Sequence, residues 1–141
     1  MKQETIIIEK TYPAPIHKVW DAITNINKLK EWYFPLSDFK PEVGFEYTIG
    51  DGKGNMKHKL RITEVQPGKK LVHTFENITQ PGFSHVTFEL FDEGQQTRFL
   101  LTHTGLETFP LETPGYTRKN FEDGWGYLFV TSLPLYLEKN S

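Results

Sequence analysis

The sequence predicts an α+β fold in which a seven-stranded antiparallel sheet curls around one long C-terminal helix. Three observations carry this reading. Beyond Pro35 the hydrophobic period switches to two and stays there to residue 104. The turn-forming stretches between the alternating segments are too short for crossover helices, so neighbouring strands must run antiparallel. A helical-period apolar stripe then closes the chain. The 141 residues are expected to form one domain, residues 1–141; a chain this long buries roughly 70% of the surface it exposes when unfolded.

Residues 4–12 (ETIIIEKTY) are Ile-rich and read as the first strand. Pro13 and Pro15 end it, and Pro15 suits the start of a helix on which Ile16, Val19, Trp20 and Ile23 share a stripe. Asn25 to Asn27 break that helix. A second short one, roughly 27–33, carries Leu29, Trp32 and Tyr33 until Pro35 stops it. Strands follow at 37–41, 43–50, 56–66, 69–77, 83–92 and 96–104, separated by DGKGN, Pro67-Gly68, Gln80-Pro81-Gly82 and Asp92-Glu93-Gly94. The Gly/Pro-rich stretch 105–116 leads into a last helix at about 117–137, where Phe121, Trp125, Leu128, Phe129, Ser132, Leu135 and Tyr136 recur at helical spacing. Pro134 removes a backbone hydrogen bond and clashes one turn back, at Val130, so a kink or early end is expected near 130–134. A helix about 10 Å across cannot fill the trough of a curled sheet alone. Either aromatic side chains close the gap or a cavity remains.

Composition excludes several functions. Sixteen basic against 18 acidic residues give a net charge of -2, which is no footprint for nucleic acid or an anionic membrane. No 18-residue apolar run is present, so no membrane insertion is expected, and MKQETIIIEK lacks a secretory hydrophobic region. Without cysteine there is no disulfide framework, thiolate zinc site or cysteine nucleophile; a cytoplasmic location fits, with the Asn77-Ile78-Thr79 sequon idle. Aromatic residues reach 14% in a chain whose mean hydropathy is -0.51, as expected of a wide interior filled by few, bulky rings.

Alternation assigns the concave face: Phe45, Tyr47 and Ile49; Leu60 and Ile62; Leu71, His73 and Phe75; Val86, Phe88 and Leu90; Phe99, Leu101 and His103. The opposite parity, Lys57, Lys59, Arg61, Thr87, Glu89, Arg98 and Thr102, reads as a solvated convex face rather than a nucleic-acid patch. His73 and His103 thus fall among apolar positions, where an imidazole needs partners. Each has two readings: a general base or donor to a ligand, or a structural anchor. For His103 the anchor would be the backbone of the 105–116 loop; for His73, Tyr47 is a hydroxyl neighbour. Trp125 lies between Gly124 and Gly126, which either let the helix approach the sheet closely or leave room for a ligand.

Other motifs resolve to bland readings. Gly50 to Gly54 joins two strands and opens no helix, so it is a hairpin turn rather than a phosphate loop. As a calcium loop, Asp51-x-Lys53-x-Asn55 places lysine at a ligand position and Ile62 where a bidentate Glu belongs. The five histidines form no HxH or HxxxH pair, and no metal or other cofactor is expected. No Ser-His-Asp order, acid pair or nucleophile elbow is found, and Glu122 and Asp123 suit a helix start on dipole grounds alone.

The chain resembles the activator of Hsp90 ATPase homologue 1-like proteins, single-domain relatives of the activator's C-terminal domain in the START-like, birch-pollen-allergen superfamily. The resemblance rests on Tyr12, Pro13, Ala14 and Pro15 with Val19, Trp20, Ala22 and Ile23; on Leu29 and Trp32; on Val43-Gly44-Phe45; and on Ile62, Glu64, Val65, Pro67, Lys69 and Leu71. It continues through Ser84 to Leu90, Thr97 to Leu106, and Gly124-Trp125. It implies the helix-grip fold, seven strands gripping the C-terminal helix over a ligand cavity. Superfamily members bind sterols, lipids, polyketides or hormones, and some catalyse cyclisation or condensation in that cavity. Co-chaperone activity is not implied by the name, because in the eukaryotic activator it rests on a separate N-terminal domain.

The expected function is therefore binding of a small hydrophobic or aromatic molecule between sheet and helix, by Phe45, Tyr47, His73, Phe75, Phe88, Phe99, Leu101, His103, Phe121, Trp125 and Phe129. The 105–116 stretch is a candidate lid. Two alternatives stand beside it: a cyclase or aromatase using His103, His73 and Tyr47 for proton transfer, and a stress-linked module that engages a chaperone through its surface. The chain is expected to be a monomer or homodimer.

Overall fold

The computed structural model describes residues 5–33, 38–50, 56–77, 83–105 and 118–139. Their order is β1 (Ile6–Tyr12), α1 (Ile16–Thr24), α2 (Ile26–Trp32), β2 (Glu46–Gly50), β3 (Met56–Gln66), β4 (Lys70–Asn77), β5 (Phe83–Asp92), β6 (Thr97–Thr104) and α3 (Arg118–Gly126). A π-helical stretch, Tyr127–Ser132, then passes directly into α4 (Leu133–Lys139).

Local chemistry explains the boundaries. Pro15, extended at φ -68° and ψ 157°, is the N-cap of α1. Asn25 ends α1 and caps α2, its side chain accepting from the Asn27 N–H. Gly68 and Gly94 take φ of +77° and +83° in the turns after β3 and β5.

The strands form a single antiparallel sheet in the order β1-β6-β5-β4-β3-β2, a meander from β2 to β6 with β1 added beside β6. The sheet has six strands among the described residues, not seven. The expected strand at 37–41 does not form over 38–40, where Phe39 instead sinks its ring against Tyr47 at 5.1 Å. The strand expected from residue 43 starts at Glu46, because Gly44 turns the chain at φ +94°.

Alternation holds across the sheet. Leu60, Ile62, Leu71, His73, Phe75, Val86, Phe88, Leu90, Phe99, Leu101 and His103 are buried, while Lys59 and Arg61 are exposed. The C-terminal helix crosses this face with Phe121, Trp125, Leu128, Phe129, Leu133 and Leu137 inward. Phe129 stacks on Phe99 at 4.6 Å and 14°.

Pro134 does not end the helix, which runs on to Lys139. The π-helical turn absorbs it. The Leu133 N–H reaches five residues back to the Leu128 carbonyl, and the next residue in that pattern, Pro134, has no N–H for the Phe129 carbonyl. The buried Tyr12 hydroxyl donates to that carbonyl at 2.6 Å. Burial raises the Tyr12 pKa well above its ordinary value, so it remains a donor. The loop at 50–54 and the candidate lid lie outside the described residues from 51 to 55 and from 106 to 117.

Candidate functional site

Two imidazoles lie on the concave face of the sheet, both fully buried. His103 Nδ1 accepts from the Trp125 indole N–H at 3.0 Å, so its proton sits on Nε2. Nε2–H donates to Ser84 Oγ at 2.9 Å, and the Ser84 hydroxyl passes the chain on to the Phe75 carbonyl at 2.8 Å. Burial pulls the His103 pKa down to about 3. The ring is thus a neutral strut joining α3 to β4, β5 and β6. Its anchor is Trp125 and Ser84, not the 105–116 backbone. Both nitrogens are engaged, which leaves no lone pair for a base. Gly105 makes the arrangement possible: at φ +89°, a Cβ there would lie 2.9 Å from the Phe83 carbonyl oxygen and 3.0 Å from Ser84 Cα.

His73 is built the other way. Its Nδ1–H donates to the Thr74 carbonyl at 2.8 Å, and Nε2 is buried with no hydrogen-bond partner. Burial depresses its pKa to about 4, so it too is neutral at pH 7. Tyr47 and Phe88 stand edge-on to its ring, at 6.2 and 5.4 Å.

Tyr47 and Phe88 also border a gap between sheet and helices, walled further by Ile23, Leu29, Trp32, Tyr33, Phe39, Leu71 and Phe129. Its volume is about 10 Å³, enough for one water at most. Large rings fill the rest of the described interior, so the cavity implied by the helix-grip resemblance is closed here. Open grooves flank the gap. One, of about 420 Å³, runs along Trp32, Tyr33, Gly124, Tyr127, Leu128 and Ser132; the other, of about 340 Å³, along Asp38, Phe45, Tyr47 and Lys59. Trp32 and Tyr33 therefore form the wall between gap and first groove, and Tyr47 the wall toward the second. Burial raises the pKa of both phenols. Trp32 is pinned, its indole N–H donating to the Ala22 carbonyl at 2.9 Å and its own carbonyl accepting from Ser132 Oγ at 2.7 Å.

The residues expected to line a site divide into three groups. Tyr47, Phe88 and Phe129 border the gap, with His73 behind two of them and Phe45 in the outer groove. Phe75, His103, Phe121 and Trp125 pack on one another, with Phe75 at 5.5 to 6.0 Å from the other three. Phe99 and Leu101 are plain core. Gly124 and Gly126 do not admit a close helix approach: a Cβ on either meets nothing within 4 Å, and Gly124 faces the groove. Sequence reasoning missed Ser84, which carries no hydrophobic signal, although its parity with Val86 and Phe88 places it inward. It also leaves Trp32, Tyr33 and Phe39 out of the site, since the pattern places Phe39 in a strand.

The family model described as activator of Hsp90 ATPase homolog 1-like protein matches residues 13–138. No curated protein matches the chain by sequence. Among solved structures, DynU16, a protein of the dynemicin biosynthetic locus, superposes with a TM-score of 0.80 at 21% identity; the match covers 99% of this chain and 49% of DynU16, so this chain spans about half its length. Protein MLL2253 from Mesorhizobium loti gives 0.79 at 24%, over 97% of this chain and 98% of its own. PFC0360w, an HSP90 activator from Plasmodium falciparum, gives 0.75 at 19%, over 95% and 96%. At these identities the likeness is one of fold.

Proposed function

The chain belongs to the activator of Hsp90 ATPase homologue 1-like family, and from that premise we propose that it binds a small hydrophobic or aromatic molecule between sheet and C-terminal helix. The observation that carries this reading is the aromatic-walled gap closed off from two open grooves by Trp32, Tyr33 and Tyr47. Tyr33 borders about 420 Å³ of open groove, so outward rotation of its ring opens the gap without displacing the pinned Trp32. The bound molecule then takes the faces of Tyr47, Phe88 and Phe129, replacing ring–ring contacts with its own.

A cyclase reading loses its strongest residue, because both His103 nitrogens serve the fold. The Hsp90 activator among the structural neighbours supports no chaperone-binding reading at 19% identity. Native mass spectrometry of freshly purified protein tests the proposal. An added mass of a few hundred daltons that disappears on denaturation is expected. A clean apo mass, together with no calorimetric binding of small aromatic probes, contradicts it.

A further inference from the structure

Among the described residues, His73 Nε2 is a strong acceptor left without a hydrogen-bond partner. His73 is fully buried, and its Nδ1 proton is fixed on the Thr74 carbonyl, so Nε2 presents a lone pair and nothing else. The sheet supplies no donor to it: across the strands His73 pairs with Ile62 on β3 and Val86 on β5, both apolar. The rings against it, Tyr47 and Phe88, are two of the walls of the gap. An unpaired buried acceptor destabilises a fold and calls for an explanation. One that lies behind the walls of a ligand gap has an evident one.

We propose that the molecule bound here is an aromatic alcohol, whose hydroxyl donates to His73 Nε2 while its ring packs among Tyr47, Phe88 and Phe129. This deepens the ligand-binding reading above and rests on it. The same atom rejects competitors. A ketone, ester or ether oxygen of similar shape would face a lone pair with a lone pair. A site built to pair a hydroxyl discriminates against the analogue lacking it more sharply than an apolar pocket discriminates by size. Charged ligands are excluded too, since the gap is walled by aromatic and aliphatic side chains and the imidazole behind them is neutral.

Calorimetric titration of the full chain with p-cresol and with p-xylene, which matches it in shape but has no donor, is the test. The wild type is expected to bind p-cresol at least about tenfold more tightly, the scale of a hydrogen bond gained in place of an unpaired polar group. His73→Phe is expected to erase that preference while holding p-xylene affinity within about twofold, a change far below one such bond. Equal affinities in the wild type overturn this inference and leave the ligand-binding reading standing; no binding of either probe overturns both. A second readout needs no variant. The ¹⁵N resonance of His73 Nε2 should move upfield when p-cresol is added and stay still with p-xylene. A resonance unmoved by p-cresol overturns the proposal.

Discussion

His103 and His73 occupy equivalent places on neighbouring parts of one sheet face, both fully buried and both neutral, yet they do opposite work. His103 uses each nitrogen, accepting from Trp125 and donating to Ser84, and so ties the helix to three strands. His73 uses one nitrogen on its own strand and leaves the other idle. Burial and a depressed pKa are shared, so neither feature identifies a functional group. What separates the two is whether the fold satisfies the ring. Around His103 the neighbours converge: Gly105 admits the backbone beside Ser84, and Trp125 presents its N–H. Around His73 they are aromatic edges and aliphatic strand partners, and Nε2 stays unpaired.

The contrast breaks most visibly on substitution. His103→Leu strands the Trp125 N–H and removes the link to Ser84, and should cost about 3 kcal/mol in urea unfolding. His73→Phe keeps a ring of similar size and deletes an unpaired acceptor, and should leave stability unchanged within about 1 kcal/mol. Equal losses would erase the distinction. Gly105→Ala attacks the satisfied side indirectly. A Cβ forced to 2.9 Å from a backbone oxygen at φ +89° should cost about 2 kcal/mol or more, and should weaken the His103 hydrogen bonds as read by imidazole proton shifts.

Acid gives a third view. Both folded pKa values, about 3 for His103 and about 4 for His73, lie below the unfolded value near 6.5, so below that pH the unfolded chain holds more protons. Stability is therefore complete above about pH 6.5 and falls as pH drops toward 4, by up to about 1.4 kcal/mol per pH unit for each histidine. His103→Leu and His73→Phe should each remove one such increment from the slope. The smallest expected effect is on the groove: Gly124→Ala should gain about 0.5–1 kcal/mol from helix propensity, since its Cβ enters open space.

Most of this fold was legible because alternation is a strong signal over long strands. Residues 56–66 and 83–92 are strands as the pattern requires, and the inward parity of Leu71, His73, Phe88 and His103 follows from it. Short segments defeat the same logic. Phe39 among polar neighbours looks like strand and is a plug. Pro134 announces a local problem but not its solution, because the π-helical turn is completed by Tyr12, 117 positions from Phe129 in sequence. The two histidines were equally visible as inward polar residues. Their different fates depend on which hydrogen-bonding atoms lie within about 3 Å, and periodicity carries no such information.

The most direct measurement is the protonation pattern of the two imidazoles by ¹⁵N–¹H correlation in ligand-free protein, followed from pH 8 to pH 4. Opposite tautomers are expected, with the proton on Nδ1 in His73 and on Nε2 in His103, and with neither ring titrating near pH 6.5. The same tautomer in both, or a midpoint near 6.5 for either, would contradict the account of one satisfied and one waiting histidine.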